Sequence, residues 1–441
     1  MGSLGTTEPD ATGRERRGAP PDVLLGHHLI SWRSRGAPAD PRAAVFRGEL
    51  GLPTDAPIVM TGHQPVFWHA GVLAKYLAAA ALARREGAAT AWCVPDQDVV
   101  EPGRVRMPVR APGDDAEAGC WRVAEHDLLR WGGDVSAVPA GARPPGLVIN
   151  PVPEGFGAVA SALRRFEGEE TAAEQAWCAH ETVLDDRLGV PISPTVYATD
   201  VSRTSIFAWL VERMAADPAG CVGAYNAAVR AEPGSGVRTL LALEHRGRYE
   251  LPLWLIEPGE PRRAVYADDL GSVDPAMLAP RGLVMTGLLR LVGCDLFIHG
   301  TGGEAYDRVT ERWFADWLGE TLPGAGVASA TLRLDLGVPE VDRADVARAV
   351  WRAHRARHTP MMLGDEAGQR EKDRLVAAIR SAEPARRGAL FGELHALLAA
   401  SRAARADRLA AYEREAAEVS AALADAEIAR DRTWPWVLHD D

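Results

Sequence analysis

Residues 58–98 read IVMTGHQPVFWHAGVLAKYLAAAALARREGAATAWCVPDQD, and their pattern is the strongest indication of the fold of this chain of 441 residues. Its pattern predicts an apolar strand over 58–61, a helix over about 70–86 and a second strand over 90–95. A strand–helix–strand unit of this length is typical of a parallel sheet, in which ligands bind at the carboxyl ends of the strands. We therefore expect an α/β protein with a parallel sheet at its core.

A second stretch, RGLVMTGLLRLVGCDLFIHGTGGEAYDRVTERWFADWL, residues 281–318, has a similar order. It predicts a short helix over about 284–292, a strand over 294–299 and a helix that starts near Glu304. A glycine-rich turn separates this strand from the helix, and the exposed backbone N–H groups at a helix start favour anions. We expect the polar ends of both stretches to face one shared crevice.

The whole sequence divides into four regions. Residues 1–22 are polar and rich in Gly, Pro and Arg, which indicates a disordered tail. The core spans 23–338 and carries an inserted lobe, rich in Pro and Gly, over about 99–195. Residues 339–432 have helical periodicity, which indicates a helical hairpin or a coiled coil that joins two copies into a homodimer. The apolar residues of 433–441 are expected to dock on the core.

Composition and charge argue against several classes of function. A formal net charge of −12 disfavours a general binder of nucleic acid or of an anionic membrane. No apolar run reaches the ~20 residues that span a bilayer. The five cysteines have no paired spacing, so we expect neither a bound metal nor a disulfide framework, and a reducing cytoplasm as the location. Small-molecule substrates remain as the expected partners.

Two pairs of side chains are candidates for catalysis. His63 and His69 lie in the loop before the first helix, where imidazole N–H groups can stabilise developing negative charge. The alternative is that one histidine caps the helix and the other fills a polar core position. Asp96 and Asp98 follow the second strand and can bind an amine or Mg²⁺ or act as a general base. The alternative for this pair is a solvated acidic turn.

A larger set of residues is expected to bind substrate or nucleotide. Adjacent glycines permit a close approach of backbone to a ligand, although Glu304 would favour a helix start without any ligand. Lys75, one of only two lysines, is expected on a helix surface. The candidates are Thr61, Gly62, Gln64, Tyr225, Asn226, Arg290, His299, Gly300, Gly302, Gly303, Glu304, Tyr306 and Asp307.

These motifs resemble those of a known family. TGHQPVFWHAGVLAKYLAA and WCVPDQD are similar to the amino-terminal signatures of the bacillithiol biosynthesis cysteine-adding enzyme (BshC) family, and DLFIHGTGGEAYDRVTERWF resembles a later segment. The match is that of a divergent branch, since PDQD stands where the family has a GEDHD-like sequence. The resemblance implies a Rossmann-type core and a coiled coil that forms a dimer. It assigns to the three signatures Gly62, His63, Gln64 and Pro65, then Asp96 and Asp98, then Gly302, Gly303, Glu304, Ala305 and Tyr306.

Family members are thought to join cysteine to the amino group of a glucosaminyl-malate, so the resemblance implies an amide-forming ligase with a similar pair of substrates. ATP or ADP is the expected nucleotide, with Mg²⁺ as its companion ion. In this hypothesis His63 and His69 stabilise phosphate or carboxylate charge, the 300–304 turn holds the nucleotide or acyl group, and Asp96 or Asp98 orients the amine. A nucleotidylyltransferase on the same core and a non-catalytic small-molecule-binding homologue are the alternatives.

Overall fold

The computed structural model describes residues 22–34, 36, 40–111 and 120–439. The expected disordered tail, 1–22, lies outside these residues except for Asp22. The described residues form two units. The larger unit, which holds every residue of the candidate site, comprises 22–34, 36, 40–107, 125–332 and 432–439, and the smaller comprises 108–111, 120–124 and 333–431.

The helices and strands alternate along most of the chain. The strands are β1 Asp22–Leu25, β2 Ile58–Gly62, β3 Ala89–Val94, β4 Arg104–Arg110, β5 Trp121–Asp127, β6 Leu129–Arg130, β7 Leu147–Val148, β8 Thr195–Tyr197, β9 Ala242–Leu243, β10 Arg248–Leu255, β11 Arg263–Tyr266, β12 Leu278–Pro280, β13 Leu296–His299 and β14 Ala325–Thr331. The helices are α1 His27–Ser31, α2 Pro41–Glu49, α3 Ala70–Glu86, α4 Gly157–Arg165, α5 Ala172–Leu188, α6 Ala198–Val201, α7 Ser205–Ala216, α8 Pro218–Ala231, α9 Gly282–Leu288, α10 Gly303–Leu318, α11 Arg343–Ala356, α12 Glu366–Ser381, α13 Pro384–Ala404 and α14 Ala406–Arg430.

The central sheet has the strand order β1-β14-β13-β2-β3-β8. The pairs β14–β13, β13–β2, β2–β3 and β3–β8 are parallel, and β1 adds an antiparallel edge strand. The expectation of a mixed α/β fold with a mostly parallel sheet is therefore confirmed. From β2 the chain continues to β3, the neighbouring strand on one side of β2 in the sheet. From β13 it continues to β14, which lies in the opposite direction along the sheet. Because the two connections diverge, a crevice is expected at the carboxyl ends of β2 and β13.

Both faces of this sheet are covered by helices. Ile58 and Met60 of β2 belong to the apolar cluster that contains Trp313 of α10, whereas Val59 belongs to the cluster that contains Tyr76 of α3. Alternate residues of a strand point to opposite faces, so a strand buried on both faces reads as a continuous apolar run. This explains why IVMT in the sequence shows no polar alternation.

The first stretch folds as the sequence predicts. Helix α3 occupies the expected residues, with His69 as its N-cap residue and Gly87 as its C-cap. Gly87 has a φ of 64°, a left-handed conformation that glycine adopts without steric cost. The local signals at both ends of this helix were therefore sufficient to place it.

The second stretch and the middle of the chain differ in detail. The expected helix over 284–292 is α9 followed by a π-helical turn, Leu289–Gly293. Helix α7 starts at Ser205, because Thr204 accepts a hydrogen bond from the Phe207 N–H and caps the helix there. Helix α5, which falls in the expected lobe, packs through Trp177 in the same apolar cluster as α3.

The carboxyl-terminal part of the chain is helical, as predicted. Helices α11 and α14 contact each other, as do α12 and α13. A short 3₁₀ turn, Pro360–Leu363, separates α11 from α12. The last apolar residues belong to the larger unit, where the Trp436 N–H donates a hydrogen bond of 2.7 Å to the Trp68 carbonyl oxygen. Within the described ranges, no helix is long and apolar enough to cross a membrane.

Candidate functional site

A cleft of about 520 Å³ opens at the carboxyl ends of the central strands. The first stretch and the second stretch both contribute to its wall, although 182 residues separate them in the sequence. The lining residues are Gly62, His63, Gln64, Lys75, Cys93, Pro95, Gln97, Asp98, Gly282, Met285, Thr286, Phe297, His299, Gly302, Gly303 and Tyr306. Eight of these, from Gly62 to Tyr306, are among the residues that the sequence selected.

Close packing at the end of β2 positions His63. The His63 N–H donates a hydrogen bond of 3.1 Å to the Cys93 carbonyl oxygen, so the chain continues along β3 beyond Gly62. A Cβ atom at Gly62 would lie 2.2 Å from that same carbonyl oxygen. Only glycine fits here, because the clash would be with backbone that cannot rotate away.

The imidazole of His63 is neutral at physiological pH. Burial, helped by the positive charge of Lys75, lowers the pKa of His63 to about 3. Nδ1 lies 3.3 Å from the Gln64 carbonyl oxygen, which can only accept a hydrogen bond. The ring proton therefore belongs on Nδ1, and Nε2 keeps its lone pair. His63 can act as a hydrogen-bond acceptor or proton acceptor, but it carries no charge of its own.

Lys75 lies in the cleft, which corrects the expectation that it sits on a helix surface. The side chain is buried, and its Nζ donates a hydrogen bond of 2.6 Å to the Gly62 carbonyl oxygen. Burial lowers the pKa of Lys75 to about 8. The sequence held a signal that could have revealed this position, because Gly71 and Ala79 lie one turn before and after Lys75 on the same face of α3. Small neighbours let other parts of the fold cover a lysine stem.

Asp98 is held in a defined position by two donors. Gln64 Nε2 donates to Oδ2 at 3.1 Å, and Arg262 Nη1 donates to Oδ1 at 2.9 Å. The Arg262 guanidinium lies over the Trp254 ring, 4.4 Å from the ring centroid. This clamp fixes the carboxylate, so Asp98 can bind or orient a cationic group of a ligand.

Gln97 presents an unsatisfied acceptor at the cleft wall. Its side chain is 1% exposed, and among the described residues Oε1 has no hydrogen-bond partner. The amide nitrogen lies 3.9 Å from the Met285 sulfur, which is a weak acceptor. A buried polar atom without a partner is costly, so a ligand that carries an N–H or O–H donor would be favoured here.

The opposite wall of the cleft comes from β13 and the start of α10. His299 Nε2 lies 3.0 Å from Asp307 Oδ1, a close contact that does not have the geometry of a hydrogen bond. Gly302 is the N-cap residue of α10 and provides no side-chain cap, while the Gly303 N–H donates to the Gly300 carbonyl oxygen. A Cβ at Gly303 would lie 2.5 Å from the His299 Cβ, so this turn also requires glycine. The wall therefore offers backbone donors to an anion.

His69 and Thr61 do not line the cleft. His69 Nδ1 accepts a hydrogen bond of 3.0 Å from the Gly71 N–H, so His69 caps α3 as in the alternative drawn from the sequence. The Thr61 hydroxyl donates at 2.8 Å to the Ile298 carbonyl oxygen and is fully buried between β2 and β13. Both side chains make structural contacts, and the expectation that they contact a ligand stays a prediction.

Asp96 faces a different cavity from Asp98. Thr199 donates to it twice, from its backbone N–H at 3.1 Å and from its hydroxyl at 2.5 Å. Burial raises the pKa of Asp96 to about 7. This second cavity, of about 590 Å³, is lined by Asp96 together with Arg143, Tyr197 and other residues outside the cleft. The two aspartates of PDQD therefore do not act at one site.

The other candidates make structural contacts. Tyr225 packs edge-on against Trp313 in the apolar core, and Asn226 exchanges two hydrogen bonds with the backbone of Leu240. Gly300 closes the turn by accepting a hydrogen bond from the Gly303 N–H, and Glu304 is exposed and pairs with Arg308.

Arg290 and Asp307 also belong to the scaffold. The two side chains form a buried ion pair of 3.1 Å, and Arg290 additionally contacts Glu311. Asp307 also touches a residue of the cleft, His299.

The arrangement combines a neutral imidazole, an ammonium group, a fixed carboxylate and an uncapped helix start in one small cleft. Such a set can bind an anion and an amine side by side and can accept a proton between them. Across the described parts of the chain, no group of three or more His, Cys, Asp or Glu side chains could hold a metal ion. In comparisons with known proteins the chain matches no family model, and no curated protein matches it closely enough to count as a relative.

Proposed function

We propose that the protein is a BshC-like ligase that forms an amide bond between a cysteine-like amino acid and the amino group of a small, sugar-derived acceptor. The observation that supports this proposal is the convergence of His63 and Asp98 with His299 and the Gly302–Gly303 turn in one cleft. A volume of about 520 Å³ suits small-molecule substrates. The reaction class itself comes from the resemblance of the two sequence stretches to the BshC family.

The proposed reaction has two steps. The carboxylate of the amino acid attacks the γ-phosphorus of ATP, an acyl phosphate forms, and ADP leaves. The amine nitrogen of the acceptor then attacks the acyl carbon, and phosphate leaves with the bonding electron pair. The amine must lose a proton in this second step, so a proton acceptor beside the amine would lower the barrier.

The residues of the cleft have distinct roles in this proposal. His63 accepts the proton of the attacking amine on Nε2, because its Nδ1 faces the Gln64 carbonyl oxygen. Asp98 orients the amine before attack, since Arg262 and Gln64 fix its carboxylate. The start of α10 binds the phosphate or acyl oxygen through backbone N–H groups. Mg²⁺ would enter with the nucleotide.

The finer points of architecture are part of the same proposal. The divergence of the chain connections from β2 and β13 supports a Rossmann-like core. The contact of α11 with α14 supports a coiled-coil-like arrangement, and we propose that these helices join two copies into a homodimer. The five cysteines have free thiols, which supports a cytoplasmic location.

The test is product analysis by mass spectrometry of the purified protein with ATP and a panel of amino acids and amines. The proposal expects an amide and ADP from the wild type, much less from His63→Ala, and wild-type levels from His69→Ala, the matched control. Release of pyrophosphate without an amide would identify a nucleotidylyltransferase. Wild-type turnover no higher than that of His63→Ala rejects the ligase. Ligand binding that survives His63→Ala without any turnover would identify a non-catalytic homologue.

A further inference from the structure

Lys75 is a buried cation that forms no ion pair with any of the described residues. Its side chain is only 5% exposed, and its one hydrogen bond within the described residues goes to a neutral carbonyl oxygen, that of Gly62. No carboxylate among those residues lies within ion-pair distance of it, whereas other buried cations such as Arg47 and Arg290 have aspartate partners. Burial of an unpaired ammonium group is expensive. The buried charge of Lys75 therefore lowers the free energy of unfolding, and no carboxylate of the described residues offsets this cost.

The position of Lys75 indicates what would provide the missing charge. Its Cδ lies 4.0 Å from the point that a Cβ at Gly300 would occupy, so its side chain runs beside the turn that starts α10. That helix has sixteen residues and begins without a side-chain cap. An ammonium group and a helix start that border the same cleft both favour a negative ligand.

A second buried group points to the same cleft. Gln97 Oε1 is without a hydrogen-bond partner in the described structure, although the side chain is 1% exposed. Lys75 and Gln97 both line the cleft. A ligand that carries an anionic oxygen together with a nearby N–H or O–H donor would satisfy both residues at once.

We propose that Lys75 and the start of α10 form an oxyanion subsite that binds a carboxylate or phosphate group of the substrate. The proposal deepens the ligase proposal, on which it rests for the identity of the substrates. It assigns anion binding to Lys75 rather than to the histidines, since His63 is neutral and His69 caps a helix. The shared chemistry is an oxygen anion, which an amino acid supplies as a carboxylate and a nucleotide as a phosphate.

The first experiment uses titration calorimetry to measure how tightly four anions bind to the wild-type chain when no reaction takes place. Inorganic phosphate and pyrophosphate represent the nucleotide source, and acetate and glycine represent the amino-acid source. The proposal expects at least one of these anions to bind, and glycine to bind more tightly than acetate if the carboxylate source is correct, because its ammonium group can donate to Gln97. If none of the four binds, the proposal is overturned.

Lys372 provides a matched control for the second experiment. It is the only other lysine of the chain, and its Nζ also donates at 2.6 Å to a backbone carbonyl oxygen, that of His358. Lys75→Met should weaken binding of the anion by about tenfold or more, whereas Lys372→Met should not change it. Equal affinity of Lys75→Met and wild type overturns the proposal.

A third measurement does not depend on the folding of a variant. Acylation of the wild type with acetic anhydride, followed by mass spectrometry, reports the reaction rates of both lysines in one sample. The bound anion should slow acylation of Lys75 and leave Lys372 unaffected, and no change at Lys75 would contradict the proposal. A chain that binds anions through Lys75 but forms no amide keeps this inference and rejects the ligase. If the chain forms amides and Lys75→Met binds the anion as tightly as the wild type does, this inference is rejected and the ligase proposal is kept.

Discussion

Nζ of Lys75, on helix α3, lies 2.6 Å from the carbonyl oxygen of Gly62, the last residue of strand β2. This contact connects a helix to the end of the strand that precedes it and places a cation at the carboxyl edge of the sheet. His299, from the neighbouring strand β13, lines the same cleft. The cleft therefore depends on two strands that are adjacent in the sheet and distant in the sequence.

The first prediction concerns the stability cost of Lys75. Its pKa is about 8 in the folded protein and 10.5 in the unfolded chain. The unfolded chain therefore binds the proton more tightly, and the free energy of unfolding should rise as pH increases from 8 to 10.5. Removal of the buried charge in Lys75→Met should raise the free energy of unfolding at pH 7 by up to about 3 kcal/mol. Loss of the hydrogen bond to Gly62 should reduce this gain by about 1 kcal/mol.

Urea unfolding of Lys75→Met and wild type at neutral and alkaline pH measures this effect. The advantage of the variant should disappear above the ordinary pKa of lysine, where both states are neutral. Lys372→Met, at a half-buried site in the other unit, is the control variant in the same measurements. A variant that is less stable than wild type at pH 7 would show that burial does not penalise the Lys75 charge.

The second prediction concerns Asp96, whose pKa is about 7 in the folded protein and 3.8 in the unfolded chain. The folded state holds the proton more tightly, so the free energy of unfolding should fall as pH rises through this range. Asp96→Asn removes the charge, and its amide can still pair with Thr199. The variant should gain up to about 4 kcal/mol over wild type between acidic and neutral pH. Thermal unfolding at both pH values tests this, and a constant difference would refute it.

The third prediction separates the two histidines of the first stretch. His69→Ala removes a helix cap and should lower the free energy of unfolding by about 1 kcal/mol, while ligand affinity stays unchanged. His63→Ala should have the opposite profile, with little loss of stability and a large loss of turnover. His69→Asn, which can still cap the helix, should recover stability. Loss of ligand affinity in His69→Ala with unchanged stability would mean that the roles are assigned wrongly.

The fourth prediction tests the close packing beside His63. In Gly62→Ala the new Cβ would lie 2.2 Å from the Cys93 carbonyl oxygen, so the strands would have to separate. We expect a loss of about 3 kcal/mol or more in the free energy of unfolding. Gly302→Ala is the matched control, because its Cβ would meet no atom within 4 Å, and its cost should stay within about 0.5 kcal/mol. Equal stability of both variants would argue against this packing.

The sequence was sufficient for features that depend on local signals. Helix α3 could be placed because the loop residues before it and Gly87 after it act within one turn of the helix. The parallel sheet could be expected because an apolar run as continuous as that of β2 is typical of a strand buried on both faces.

Features that depend on the packing of distant segments could not be predicted in this way. Lys75 is buried because residues near Gly300, far away in sequence, cover it. Asp96 and Asp98 are separated by one residue and are both candidates for the same role, yet the chain turns sharply between them. The Asp96 N–H donates to the Val94 carbonyl oxygen, a three-residue turn that sends the two carboxylates to different cavities.

The most direct test is a crystal structure with the nucleotide or amino acid that most raises the melting temperature of the protein. We predict that its anionic group lies between Lys75 and the start of α10, with His63 and Asp98 beside the rest of the ligand. A ligand bound instead in the cavity around Asp96, with the cleft between β2 and β13 empty, would contradict this account.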